Sequence, residues 1–438
     1  MKKNKAFTLI ELLAVIVILG ILSILIVPKV MTSINESEEK TNMSSAENLL
    51  STAIYKVTNN DIQGSNQSIT INYTTGENTD YLEYSGKKPL TGKILIKSNG
   101  QIAMAVQIGN YCYKKEPNEN EITSIRYNKD TCITRIPEIV TSGDGLYEST
   151  TEPGRLIYRG ENPNNYIILK ENNEDILYRI VSFEEDGTIK VVRDEKIGAK
   201  SYDVAKARYS DGINNTYCTS QYGCNVWGSG TTTLYNGFPL GDNFHYVYYT
   251  SANATTLINS SSGTVIGEST LNQYLNSKIA NSTSSWQPAI QLDKYIDNHT
   301  WNVGGVYYIE EEKGILKEKE EERQLKWIGK IALLNITEYV EASLNAACTN
   351  VKGNIAIIYR GNGPVCKELN WVFKPYNQWT LSSSTSQEWR VWSIDLSGCS
   401  SIDNVPDTYG VRPAFYLKST LQLAGQGTVE HPYYIVES

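Results

Sequence analysis

The longest apolar stretch of the chain runs from Phe7 to Val27 and precedes a helical pattern of apolar positions. At about 1.5 Å of rise per residue, a helix over this stretch is long enough for a bilayer core of roughly 30 Å. Beyond Pro28, apolar side chains recur at steps of three and four residues as far as Val57. The pattern predicts one helix from about Phe7 to Thr58, with a kink or local melting at Pro28 and an amphipathic second half that packs on a sheet.

Alternating apolar positions after the helix predict a small antiparallel sheet. The predicted strands are 68–73, 93–97 and 101–107. Asn99-Gly100 suits a type I′ turn between the last two strands, because glycine and asparagine tolerate positive φ angles. The fold class predicted up to about residue 137 is therefore α+β, with a long helix packed on a small antiparallel sheet.

A second and larger domain is predicted at 155–438, after a linker at 138–154. Its patterning is mixed α+β, with a hairpin around Asp186-Gly187 and helices at about 269–276 and 335–347. Asn335 and Glu338 have the spacing of a helix capping box. The stretch 202–269 is rich in Ser, Asn, Thr, Gly and Tyr and is predicted as a decorated loop region.

The chain has more acidic than basic side chains, and this excess argues against one class of function. There are 40 Lys and Arg against 48 Asp and Glu, a formal charge of −8, which argues against a nucleic-acid-binding body. The sequence contains no Gly-x-Ser-x-Gly, P-loop or His-Glu-x-x-His pattern, so neither enzyme activity nor a cofactor is predicted. A glycosidase-type pair of carboxylates stays open as an alternative, because that chemistry depends on distances in space.

The seven cysteines all lie beyond the apolar stretch and predict disulfides rather than a metal site. They contain no Cys-x-x-Cys pair, and the three histidines are scattered. Other connectivities stay open, and Cys399 is left over. Proximity along the chain favours the pairs Cys112–Cys132, which would tie the ends of a hairpin over 111–133, Cys218–Cys224 and Cys348–Cys366.

A single carboxylate, Glu11, lies inside the apolar stretch. An acid within a membrane span costs up to about 3.5 kcal/mol on insertion scales, so it usually has a partner. The surrounding residues are Lys2-Lys3-Asn4-Lys5, Ala6, Phe7, Thr8-Leu9-Ile10-Glu11 and, further on, Pro28. They resemble the prepilin family, which comprises type IV pilins and the pseudopilins of type II secretion and competence systems.

The resemblance implies a processing site and an assembly residue. A prepilin peptidase would cut between Ala6 and Phe7, remove the leader 1–6 and methylate the new amino terminus at Phe7. The residue before the cut is most often Gly in that family, and here Ala6 keeps a small side chain. Glu11 would neutralise the Phe7 ammonium of a neighbouring subunit during assembly.

The same resemblance implies where the protein lies and what it contacts. Residues 7–27 would form a transmembrane or filament-core helix, and 28–137 a pilin-like head. The amino terminus would be cytoplasmic and the bulk of the chain extracellular, first in the cell membrane and then in a pilus. The implied partners are the membrane, prepilin peptidase, other pilin subunits and the pilus assembly machinery.

Several short motifs occur between residue 142 and the end of the chain. They are GDGLY, IYRGENPNNY, KWIGKIALLNITEYVEAS, RVWSIDLSG and YGVRPAFYLKS. Together they resemble a large extracellular domain that recurs in surface proteins of Bacillota, and the resemblance implies no catalytic residues. Tryptophan pairs near the end of the chain are similar to those of C-type-lectin-like or sulfatase-modifying-factor-like domains, which is an analogy of fold only.

Four residues of this region are candidate ligand contacts. Trp389, Trp392 and Tyr409 are candidates for an aromatic platform under a sugar, and Arg412 for a contact to a carboxylate ligand. In the alternative interpretation, the tryptophans fill the core and Arg412 pairs with a buried acid such as Asp395.

The sequence as a whole predicts a prepilin-like subunit that displays a binding or adhesion module for a surface glycan or protein. The size of the second domain favours a minor or tip subunit, since every repeating subunit would have to pack such a domain around the shaft. Two alternatives remain. A competence or secretion pseudopilin would call for a basic patch, and a membrane-tethered surface hydrolase would need paired carboxylates in a cleft.

Overall fold

The computed structural model divides the chain into two compact units, Met1–Thr134 and Arg135–Ser438. The predicted pair Cys218–Cys224 lies outside the described residues. The structure describes residues 9–58, 68–97, 99–117, 119–129, 131–149, 152, 154–204, 209–210, 225, 227–228, 230–236, 245–249, 260–265, 268–303, 308–309, 316–317, 326–349, 363–383 and 389–436.

Helix α1 (Leu9–Thr58) confirms the predicted long helix. Its backbone stays helical across Pro28, which excludes local melting there, and the alternative of a kink stays a prediction. A proline removes one i to i−4 hydrogen bond, and in a helix of 50 residues the flanking turns keep theirs. In the second half of α1, Ala46, Leu49 and Ala53 are completely buried, as the amphipathic pattern predicts.

The buried face of α1 packs on a five-stranded sheet. The strands are β1 (Ile69–Asn72), β2 (Thr91–Ile96), β3 (Ile102–Ile108), β4 (Tyr111–Lys115) and β5 (Thr123–Arg126). They are antiparallel and follow one another in chain order. Ile94 and Ile96 of β2 pair with Met104 and Ile102 of β3. All four side chains are buried in one core with Leu49 of α1.

The turn between β2 and β3 differs from the predicted type I′ form. Lys97 donates its N–H to the carbonyl oxygen of Gln101 at 2.8 Å, whereas a type I′ hairpin would have only two residues between such a pair. Gly100 has a φ angle of 85° and donates its N–H to the carbonyl oxygen of Lys97 at 2.8 Å. Glycine adopts such a left-handed conformation without steric cost, which explains its presence at this position.

The disulfide Cys112–Cys132 closes a loop with a sequence separation of 20 in the first unit. Replacing both cysteines by Ser is expected to lower the free energy of unfolding by about 2–5 kcal/mol, because the unfolded chain gains freedom. Amide hydrogen exchange in β3 and β4 should then become faster by at least about tenfold. The double variant Cys348→Ser, Cys366→Ser is the matched control and should leave exchange in β3 and β4 unchanged.

The second unit is mostly β, and its largest sheet has seven strands. They are β6 (Gly145–Glu148), β7 (Leu156–Arg159), β8 (Tyr166–Glu171), β9 (Glu174–Phe183), β10 (Ile189–Arg193), β20 (Ile331–Ala332) and β25 (Ala414–Leu417). Their order is β20-β25-β10-β9-β7-β6, with β8 paired to β9. Strand β6 lies within the predicted linker 138–154 and pairs antiparallel with β7. The predicted domain boundaries stay a prediction.

A second sheet of five strands carries the aromatic residues near the end of the chain. Its strands are β11 (Ala199–Ser201), β21 (Gln378–Ser383), β22 (Arg390–Ile394), β23 (Ser400–Asn404) and β24 (Thr408–Gly410). Their order is β11-β24-β21-β22-β23. The remaining two-stranded sheets join β16 (His299–Asn302) to β19 (Lys326–Gly329), β17 (Tyr308–Ile309) to β18 (Leu316–Lys317), and β26 (Gln422–Ala424) to β27 (Tyr434–Val436).

The stretch 202–269 contains more regular structure than the predicted loop region. A four-stranded sheet in the order β12-β15-β13-β14 lies there. Its strands are β12 (Tyr209–Ser210), β13 (Gly230–Asn236), β14 (His245–Tyr249) and β15 (Ser260–Val265). The sequences GTTTLYN and HYVYY are rich in β-branched and aromatic residues, and this strand preference outweighs the polar composition around them.

The short helices of the second unit follow their predicted caps. They are α2 (Thr270–Asn276), α3 (Pro288–Leu292), α4 (Ile336–Glu341) and α5 (Ala346–Thr349). Ser269 caps α2 by accepting the N–H of Asn272 at 3.2 Å. Asn335 and Glu338 form the predicted capping box of α4, which ends at Glu341 rather than near residue 347. The hairpin at Asp186-Gly187 is also present, between β9 and β10.

Candidate functional site

The first half of α1 carries exposed apolar side chains around the helix. Each is between 48% and 62% exposed. Side chains of this kind are stable in lipid or against a neighbouring chain rather than in water. We call this set the amino-terminal apolar surface, and its members are Leu13, Ile16, Val17, Ile18, Leu19, Val30, Met31 and Ile34.

Polar contacts hold the second half of α1 on its sheet. Asn42 donates its side-chain amide to the carbonyl oxygen of Ile108 at 3.2 Å, at the end of β3. Tyr113 of β4 donates its hydroxyl to the carbonyl oxygen of Glu39 at 3.0 Å, and Ser124 of β5 donates to the Glu39 carboxylate at 2.6 Å. Three strands thus fix the helix, which leaves the amino-terminal apolar surface outside the core of this unit.

The predicted processing and assembly residues belong to the same end of the chain. Ala6 and Phe7 lie outside the described residues, so their roles stay predictions. The backbone of Glu11 lies in the first turn of α1, and its side chain is outside the described part of the structure. Glu11 therefore precedes the amino-terminal apolar surface along one continuous helix.

The three residues of the predicted aromatic platform differ in burial. Trp392 on β22 is buried, with 4% of its surface exposed, whereas Trp389 and Tyr409 are half-buried. The ring of Tyr409 stacks on Trp379 of β21, with ring centroids 4.6 Å apart. The alternative interpretation, in which strand tryptophans fill the core, therefore describes Trp392.

Arg412 and Asp395 are bound to other groups rather than to each other. Arg412 donates from Nε to the carbonyl oxygen of Arg193 at 2.9 Å and from Nη1 to that of Val372 at 2.8 Å. The Asp395 carboxylate accepts the N–H groups of Ser397 at 2.8 Å and Cys399 at 3.0 Å. The prediction that these two residues form a pair is wrong, because Asp395 stabilises its own turn.

The cysteines of the second unit follow the predicted pairing where they are described. Cys348 and Cys366 form a disulfide between α5 and a 3-10 turn, Gly363–Lys367. Cys399, which the predicted pairing left without a disulfide partner, is a buried free thiol. The bond between α5 and the turn fixes a segment that the local sequence would leave as an irregular connection.

A buried ion cluster in the second unit was not predicted. Glu338 of α4 accepts Lys190 Nζ at 2.6 Å and Arg155 Nη2 at 3.0 Å. Arg155 also contacts Glu341 at 3.4 Å and Glu184 at 3.4 Å. We call these five residues the Glu338 cluster. It links α4 to the largest sheet, since Lys190 lies on β10.

The charges of the Glu338 cluster compensate one another. Burial alone raises the pKa of the Glu338 carboxyl, but Lys190 and Arg155 lower it more, so its pKa lies below the usual range. Burial lowers the pKa of Arg155, and its carboxylate partners raise that pKa well above the usual value. In the sequence, Glu338 was singled out only by the capping box. That motif predicts its contact with the N–H of Asn335 but not its contacts with Lys190 and Arg155.

The described residues contain neither a metal site nor a membrane-spanning helix. Within the described ranges, no group of three or more His, Cys, Asp or Glu side chains is arranged to hold a metal ion. Over the same part of the chain, no helix combines the length and apolarity needed to cross a membrane. Most side chains of the predicted membrane stretch 7–27 lie outside the described part of the structure, so the membrane span stays a prediction.

Comparison with known proteins identifies the amino terminus. Residues 1–27 match the family model of the prokaryotic N-terminal methylation motif. No curated protein and no solved structure matches the chain. The motif is of the prepilin type, and it implies processing by prepilin peptidase and a membrane-anchored, extracytoplasmic, pilin-like protein.

Proposed function

We propose that the protein is a prepilin-like subunit, minor or at the tip, of a type IV pilus or pseudopilus, with a large extracellular module for binding or adhesion. The observation that carries this proposal is the methylation motif at residues 1–27, followed without a break by a helix that ends in a packed head. The two features occur in the order that a pilin needs.

The proposed mechanism has two steps. Prepilin peptidase cleaves between Ala6 and Phe7 and methylates Phe7, which leaves the amino-terminal apolar surface at the start of the mature chain. Glu11 then pairs with the Phe7 ammonium of a neighbouring subunit. The amino-terminal apolar surfaces of adjacent helices pack against one another. In a low-dielectric environment, this ion pair sets the register of assembly, because an unpaired charge there is strongly disfavoured.

The second unit is the proposed binding module, and the proposal gives it no enzymatic role. A competence or secretion pseudopilin keeps the same amino-terminal mechanism but uses a different machine. A membrane-tethered hydrolase needs two carboxylates across an open cleft, whereas the closely spaced buried carboxylates Glu338 and Glu341 both contact Arg155. The C-type-lectin analogy stays an expectation about the fold of this unit.

The processing step is tested by intact mass and amino-terminal sequencing of the chain from its native membrane. The mature chain is expected to start at Phe7, to lack residues 1–6 and to carry one added methyl group. Ala6→Gly is the matched control and should be processed fully, since it retains a small residue before the cut. Ala6→Val should remain uncleaved, because a β-branched side chain replaces the small one.

A wild-type chain that still starts at Met1 in the native membrane would contradict the proposal. In that case, the amino-terminal helix acts as a plain signal anchor, and the filament has no part in the function. Equal cleavage of Ala6→Gly and Ala6→Val would place the cut elsewhere.

A further inference from the structure

Two buried arginines of the second unit lie next to each other with little negative charge between them. Arg179 lies on β9, and Arg412 follows β24, and each has 3% of its surface exposed. Burial lowers the pKa of Arg179 to about 10, and the charge of Arg412 acts in the same direction, whereas Tyr166 and Asp194 act to raise it. Like charges at this depth repel each other and require an anion for compensation.

Arg412 is hydrogen-bonded only to neutral groups among the described residues. Besides the carbonyl oxygens of Arg193 and Val372, its Nη1 donates to Gln378 Oε1 at 3.3 Å. Its Nη2 is buried and has no hydrogen-bond partner. A guanidinium nitrogen in this state leaves two donors available to an incoming acceptor.

Arg179 also has no carboxylate within hydrogen-bond distance among the described residues. Its guanidinium stacks on the ring of Tyr166 at 3.7 Å and lies 5.1 Å from the ring centroid of Trp371. Its Nε donates to the side-chain oxygen of Asn165. Its one ion-pair contact in the described structure is Asp194, at 3.8 Å, which is longer than a hydrogen bond.

Asp194 is shared between cations. Its carboxylate contacts Lys374 Nζ at 3.0 Å as well as Arg179. Glu195 contacts the same Lys374 at 3.0 Å, but its side chain is 62% exposed. Lys196 lies above the ring of Tyr376, 4.3 Å from its centroid, and adds a further positive charge nearby. Asp194, with 15% of its side chain exposed, is thus the more buried of the two carboxylates that contact Lys374 in the described residues.

The surplus of cations over carboxylates is particular to the region of Arg179 and Arg412, as a comparison with the Glu338 cluster shows. There, every cation has a carboxylate within 3.0 Å, and carboxylates outnumber cations. Arg193, next to Asp194, is likewise neutralised by Glu171 at 2.7 Å. Buried charges in proteins are normally paired in this way, so a surplus of buried cations fits an anion site.

We propose that Arg179, Arg412 and Lys374 form a binding site for a ligand carboxylate, and that Asp194 occupies this site until the ligand displaces it. The proposal deepens, and rests on, the binding role proposed above for the second unit. A carboxylate is favoured over a larger anion because the site already accommodates one, from Asp194. Half-buried Tyr166 and Tyr376 provide aromatic walls, and Lys374 lies at the rim, where a ligand would enter.

The test measures binding of two carboxylates to the full chain in detergent micelles by calorimetry. The probes are glucuronate, for a sugar acid, and N-acetylglutamate, for an acidic peptide, with glucose as the uncharged control. Both carboxylates are expected to bind saturably, and the tighter one identifies the source of the ligand. Inorganic phosphate should compete at least about tenfold less well, and equal competition would overturn the choice of a carboxylate.

Three variants separate a binding site from a merely structural network. Asp194→Asn removes the internal competitor and should strengthen carboxylate binding by about tenfold, whereas Lys374→Gln should weaken it by about tenfold. Glu195→Gln, at the exposed rim, should strengthen it by about twofold without affecting the fold. The matched control is Asp175→Asn, in an exposed pair with Lys170, which should leave binding unchanged.

A purely structural role for Asp194 predicts lower stability and no gain in affinity. The proposal is overturned if wild type and Glu195→Gln both fail to bind either carboxylate, or if binding is the same in all variants. The binding measurement does not depend on leader cleavage. A chain that binds carboxylates but keeps residues 1–6 in its native membrane would retain this site and lose the filament role.

Discussion

Replacement of Glu11 by Ala is expected to remove the protein almost completely from the sheared filament fraction, while its level in the membrane stays the same. In the proposed assembly, Glu11 neutralises the methylated ammonium of Phe7 on a neighbouring subunit. Loss of the carboxylate leaves that ammonium unpaired among apolar side chains, which costs several kcal/mol. Because about 1.4 kcal/mol corresponds to a factor of ten, the loss should be well over tenfold.

The measurement compares sheared and membrane fractions by immunoblot. The matched control is Glu36→Ala, which removes a carboxylate from an exposed position of the same helix and should assemble normally. Leader cleavage should be unaffected in both variants, since the cut lies before Phe7. Equal amounts of sheared protein from wild type and Glu11→Ala would show that this carboxylate has no part in assembly.

Glu338→Gln is expected to destabilise the second unit by about 3–5 kcal/mol at neutral pH. The substitution keeps the side-chain volume and the capping oxygen for the N–H of Asn335, and it removes the charge between Lys190 and Arg155. Two buried cations then lose the carboxylate that they share. All eight tryptophans lie beyond residue 226, so tryptophan fluorescence during urea unfolding reports on this unit.

The matched control for this substitution is Asp175→Asn. Asp175 pairs with Lys170 at 2.8 Å, but both side chains are more than half exposed, so the loss should stay below about 1 kcal/mol. Similar losses for the two variants would show that burial adds nothing to the Glu338 pairs, contrary to the expectation.

The stability difference between wild type and Glu338→Gln should also depend on pH. The pKa of Glu338 is lower in the folded state than the usual value of about 4.3. Its contribution is therefore fully present above the unfolded pKa and is lost as the pH falls through the lower, folded pKa. The difference between the two proteins should be constant near neutral pH and should narrow below about pH 4. A difference that widens in acid would contradict this assignment.

Features determined by local sequence were predicted well. The spacing of Ala46, Leu49 and Ala53 predicted the buried face of α1, and Ser269 predicted the start of α2. Asp186-Gly187 predicted the hairpin between β9 and β10. In each case the physical cause acts over a few residues, through helical periodicity, a cap or a positive φ angle, so neighbouring residues contain the whole signal.

Features that join distant parts of the chain were not predicted. Arg155, Lys190 and Glu338 are far apart in sequence, and only the packing of α4 on the largest sheet brings them together. The proposed pair of Arg412 and Asp395 was wrong for the same reason. Charge complementarity alone does not select a partner when several acids and backbone carbonyl groups compete for one guanidinium.

The sequence by itself determined the prepilin-type amino terminus, because the basic leader, the apolar stretch and Glu11 form one continuous motif. It also determined the helix that follows, and it favoured two of the disulfides that the structure contains. Only the tertiary structure decided which charges are compensated and which are in surplus. The anion site proposed at Arg179 and Arg412 rests on the desolvation of both side chains, which arises from burial, and burial is a property of the folded chain.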